Sequence, residues 1–224
     1  MISFLAPILA VVFGVTIVVL YGKSKPLNLK LFLAFSGAFL LSTTIFELLP
    51  EVYTHLETKQ IGLFIMGGIL LQILLEFYSK GAEHGHLHHY DTKTFFPWFL
   101  FTSLGIHAFF EGIPLKDHHN IIIGVVIHKI PIAILITSYL LKSKLPKSQV
   151  IFFLIVFTLM TPLGSIAAKL LSISPVLIYS VNAIVIGMFL HISTIILFES
   201  SEGHHFNLNK ILMIIGAVLL AYFI

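Results

Sequence analysis

Long apolar runs return along the whole chain, each close to the length of a bilayer crossing and each closed by a short break rich in lysine, glycine or proline. A spanning helix needs about 20 mostly apolar residues. The bilayer core has no water to satisfy backbone groups, so a spanning segment must be a helix or part of a closed barrel. The runs here are continuous rather than alternating, which points to helices, and 224 residues leave room for about eight. Composition agrees: 58% of residues are hydrophobic and 10% are charged, against roughly a quarter charged in soluble domains. The expected fold class is all-α, a polytopic membrane bundle forming one domain over 1–224.

The spans are expected at roughly 2–21, 29–50, 60–79, 95–115, 119–141, 149–170, 175–198 and 208–224. The first run has no basic stretch before it and is long enough to cross, so a cleavable signal peptide is not expected. All thirteen basic residues are lysine. Numbering the breaks alternately across the membrane gives one side nine lysines and the other Lys59, Lys116 and Lys169. By the positive-inside rule the nine-lysine side is cytoplasmic. Both termini then lie outside a cell membrane, and the loop at 80–93 lies inside. The lysines sit between apolar runs, so the net charge of +3 gives no reason to expect a nucleic-acid partner. Cysteine is absent, which excludes disulfides and thiolate metal sites.

Polar groups at membrane depth are costly and ask for a partner or a role. In the fourth span His107 and Glu111 are four apart, hence on one helical face, and Ser103 continues that stripe. In the fifth span His128 lies well inside the run, and Pro131 removes the hydrogen bond to the Ile127 carbonyl. Two imidazoles and a carboxylate are a donor set that zinc and its neighbours accept, with water or another group completing it. The alternative is a helix–helix hydrogen bond with Glu111 holding His128. The break at 80–93 holds His84, His86, His88 and His89 with flanking acids, a flexible chelating tract, or an incidental polar loop. His118 and His119 mark the opposite side, and His204 and His205 the same side as the tract. Glu47 and His191 are candidates to line a path, whereas snorkelling explains Glu51, Glu76 and Glu199.

These strings resemble a known family. His107-Ala108-Phe109-Phe110-Glu111-Gly112 resembles the fourth-helix motif His-Asn-x-x-Glu-Gly of the ZIP zinc and iron transporters. His128-Lys129-Ile130-Pro131 is similar to that family's fifth-helix His-Glu-x-Pro, and Thr161-Pro162-Leu163-Gly164 to its sixth-helix Pro-Leu-Gly turn. Glu47-Leu48-Leu49-Pro50-Glu51 resembles its second-helix His-Leu-Leu-Pro-Glu. The resemblance implies an eight-helix bundle of the ZIP type carrying zinc or another divalent cation (Fe, Mn, Cd, Ni, Co) into the cytoplasm. It implies no enzyme activity, no resident cofactor, and access that alternates by relative motion of helix bundles. It places His107, Glu111 and His128 on ligands of the transport site. A homodimer is also implied, and Gly62, Gly67 and Gly68 on span three would permit close helix contact.

The departures from the family pattern carry their own expectation. Ligands of a second metal would fall on Ala108, Lys129, Ile132 and Thr161. Alanine and isoleucine cannot bind a cation, and an ammonium has no lone pair. A single metal site is therefore expected, with the Lys129 charge standing in for the second ion and pairing with Glu111. Two other functions compete. One is a metal sensor derived from a transporter, favoured by those departures. The other is an intramembrane zinc metalloenzyme, although no His-Glu-x-x-His string is present.

Overall fold

The computed structural model describes residues 2–21, 29–79, 96–116, 119–171, 174–199 and 208–224. The tract His84, His86, His88 and His89, together with His118, His204 and His205, falls outside the described residues, as does the Glu199 side chain. Among the described residues every regular element is helical: α1 (Ile2–Tyr21), α2 (Lys30–Thr43), a π turn (Thr44–Leu48), α3 (Leu49–His55), α4 (Thr58–Ser79), α5 (Trp98–Gly112), a 3-10 turn (Ile113–Lys116), α6 (His119–Lys142), α7 (Lys147–Leu171), α8 (Pro175–Glu199) and α9 (Leu208–Phe223).

Seven of the described segments are long and apolar enough to cross a membrane, with α2, the π turn and α3 counting as one from Lys30 to His55. The eighth, α9, has 16 residues, about 24 Å of helix, shorter than the roughly 30 Å hydrocarbon core. Large side chains such as Leu63, Leu70, Phe77, Phe198 and Phe223 point outward, as lipid-facing positions should.

The second span runs past Pro50, where the sequence suggested a stop. Proline has no N–H to give and normally breaks a helix. Here it is the second residue after the π turn, whose wider register already interrupts the hydrogen-bond ladder, so the axis continues to His55. In α6 the helix likewise continues through Pro131.

Two groups of helices can be distinguished by how they pack. In one, α1 lies along α6 and α5 along α7; in the other, α4 lies along α8 and α2 along α9. Glycines permit the closest approaches. A Cβ on Gly112 would overlap the Thr161 carbonyl, and one on Gly164 the Phe109 carbonyl, so α5 and α7 touch backbone to backbone. Gly68 and Gly187 do the same for α4 and α8, against Ile184 and Ile65. Gly68 is thus used inside the chain, whereas Gly62 and Gly67 face open space. The groups meet where α2 packs on α6 and α4 on α5.

Candidate metal centre

Four ionisable side chains lie buried on α5 and α6: His107, Glu111, His128 and Lys129. The sequence sets this up through spacing. His107 and Glu111 stand one turn apart on α5, while His128 and Lys129 are neighbours on α6 and so leave it in different directions.

Lys129 points at Glu111, with Nζ 2.5 Å from Oε2. The same ammonium sits 5.0 Å from the ring centre of Phe157 on α7, within cation–π range. With 1% of its surface exposed, Lys129 has left water completely, and the carboxylate and the ring face replace its hydration. The other Glu111 oxygen, Oε1, is buried without a hydrogen-bond partner among the described residues, and so is the Thr161 hydroxyl. The Thr161 hydroxyl, one turn beyond Phe157 on α7, is nevertheless placed to hydrogen-bond Glu111. A buried acceptor left unbonded is unfavourable. A cation arriving beside Oε1 would relieve that cost.

His107 leans the other way. Its Nδ1 lies 3.2 Å from Gln72 Oε1 on α4. An amide oxygen only accepts, so Nδ1 carries the hydrogen of this bond, and in the neutral ring Nε2 keeps the lone pair. His128 shares a face of α6 with Gly124 and Asn120, at four-residue spacing. Gly124 abuts Thr43 of α2, and the Asn120 amide donates to Glu47 in the π turn. Among the described residues, no three His, Cys, Asp or Glu side chains come together as a metal-holding group. In this arrangement the lysine occupies one side of Glu111, and His107 is held toward α4.

The weaker candidates separate. Ser103 donates to the Leu75 carbonyl of α4 at 2.6 Å, so its hydroxyl joins two helices. Glu47 accepts from Asn120. His119 is exposed at the start of α6. His191 meets Glu76 across α8 and α4, Nε2 to Oε2 2.7 Å; Glu76 is therefore not a side chain merely reaching for the interface. Sequence reasoning passed over Gln72 and Phe157. A lone amide in the middle of an apolar run was the signal for Gln72; a phenylalanine among many offers none.

The fold and these groups define a helical membrane protein with a buried ion pair and two buried imidazoles at its centre. The profile of the ZIP zinc transporters matches residues 79–223. No curated protein matched the chain. The chain belongs to the ZIP zinc transporter family, whose members transport divalent metals and are not enzymes.

Proposed function

We propose that this protein carries zinc, or a divalent ion of similar ligand preference, into the cytoplasm through one metal site between α5 and α6. His107, Glu111 and His128 supply the ligands. The observation that supports this most is the state of Glu111: fully buried, paired with Lys129 through one oxygen, and with no close hydrogen bond at the other among the described residues.

Lysine at this position gives the resting site a neutral ion pair. A bare carboxylate at this depth would be costly, and Lys129 removes that cost without a resident metal. The arriving ion draws on Oε1 and on the imidazoles while the ammonium gives way. One carboxylate then faces a dication beside a lysine. Such a site binds loosely and releases readily, as a carrier needs. Imidazole with carboxylate suits zinc, and also iron, cobalt or nickel. Inward transport is the direction that the resemblance to the family implies, and the lysine asymmetry of the loops orients the chain with both termini outside.

Zinc uptake into proteoliposomes tests the reading. The wild type should show saturable uptake and bind one ion per chain. His107→Ala, Glu111→Ala and His128→Ala should each abolish saturable uptake. Full uptake by all three variants would remove the site, and binding without uptake by the wild type would point to a sensor.

A further inference from the structure

We infer that Gln72 is a positioning residue for His107 and acts only while α4 and α5 are apposed as they are here. The inference rests on His107 being a metal ligand.

Gln72 is fully buried in the middle of α4. Its Oε1 accepts from His107 Nδ1, which fixes the tautomer that presents Nε2 as the donor atom. A histidine ligand commonly gives its second N–H to such an acceptor. The bond orients the ring and raises its basicity, and losing it typically costs about 10–100-fold in metal affinity. One turn nearer the start of α5, Ser103 donates to Leu75 on the same stretch of α4. The two bonds together set the register between the helices.

The two partners belong to different helix groups. His107 travels with α5, which packs on α7, and Gln72 with α4, which packs on α8. A shift of α5 along α4 by one helical turn, about 5.4 Å, would carry His107 off its acceptor. Glu111 would be unaffected, because Lys129 and Phe157 both lie on helices of its own group. His107, not Glu111, is then the ligand whose strength reports how the groups are arranged. It binds well with α4 apposed and poorly once α5 has moved.

The test uses the full chain, with zinc binding measured in detergent and uptake in proteoliposomes. Gln72→Leu removes the acceptor, and Kd and KM should rise about tenfold or more while maximal uptake per folded molecule does not fall. Gln72→Glu retains an acceptor at Nδ1 and should restore the wild-type Kd. If Gln72 served packing alone, Gln72→Leu would reduce the yield of folded protein and leave Kd unchanged, and that result overturns the inference. Should Gln72→Leu not fold, Gln72→Met, apolar and unbranched, reads the same loss. His107→Ala separates the two claims. An unchanged Kd in Gln72→Leu with binding lost in His107→Ala refutes only the role of Gln72. Unchanged binding in His107→Ala refutes the ligand assignment beneath it.

Discussion

Glu111 and Glu76 are both carboxylates at helix–helix contacts, and each is answered by one nitrogen side chain, yet the two pairs differ in kind. Glu111 is fully buried between α5 and α6 and faces a lysine backed by a phenylalanine ring. Glu76 is partly exposed near the end of α4 and faces His191. An ammonium can neutralise a carboxylate but cannot share a metal with it, so the central pair is a charge balance that a cation must open. The shared lesson is about boundaries. Each pair lies within one helix group, Glu111–Lys129 with α5, α6 and α7, and Glu76–His191 with α4 and α8. Three bonds that cross between the groups, Ser103 to Leu75, His107 to Gln72 and Asn120 to Glu47, come from hydroxyl, imidazole and amide donors. Separating the groups breaks hydrogen bonds worth about 0.5–1.5 kcal/mol each, or about 1.5–3 kcal/mol where the Glu47 carboxylate accepts, and strands neither of these ion pairs. That is the energetic condition for moving one group past the other.

The largest effect should come from opening the central pair. Lys129→Met leaves the Glu111 charge buried alone, and breaking a buried pair by one partner costs roughly 3–5 kcal/mol. Thermal unfolding of the metal-free protein should fall accordingly. Zinc should stabilise the variant more than it stabilises the wild type, because the ion takes over the missing charge. The double variant Lys129→Met/Glu111→Gln should recover most of the metal-free stability without recovering uptake. A Lys129→Met protein as stable as the wild type would show that the pair is not the balance described here.

A smaller effect is expected from the outer pair. Glu76→Gln keeps the shape and a hydrogen bond but removes the charge. Polar contacts between membrane helices average about 0.6 kcal/mol, with maxima near 1.7, so the loss of stability should stay within that range. Uptake should be retained, since both partners sit in one group. Abolished uptake would place Glu76 and His191 on the route of the ion and erase the distinction between the pairs.

The helices were largely legible in the sequence because membrane spans are written as apolar length. The run at 2–21 and the start of α6 at His119 needed nothing more. The continuation past Pro50 was not legible, because a proline reads as a stop unless a π turn has already broken the ladder, and that turn leaves no mark in the residues. At the site, the meeting of Lys129 and Glu111 could be anticipated from the cost of burying either alone. The Ser103–His107–Glu111 stripe was legible as a shared face but not in its contacts. Four-residue spacing does put the three on one face of α5, but that face touches two neighbours: Ser103 and His107 turn to α4 and Glu111 to α6. Spacing along one helix carries no information about which neighbour each turn meets.

The smallest effect sharpens the comparison most. Ser103→Ala removes one hydroxyl bond across the group boundary, and the Leu75 carbonyl can keep its own helical partner, so stability should change by only about 0.6 kcal/mol. If that bond must break each time the groups move, the same energy reappears in the rate. A barrier lowered by 0.6 kcal/mol is a roughly threefold faster step, so maximal uptake should rise by up to that factor. Glu76→Gln weakens an interaction by a similar amount, but one that moves with its group, and should leave the rate where it was. Uptake at several temperatures for both variants reads the difference directly. A Ser103→Ala protein that is slower than Glu76→Gln would mean that the boundary bonds assemble the moving state rather than restrain it.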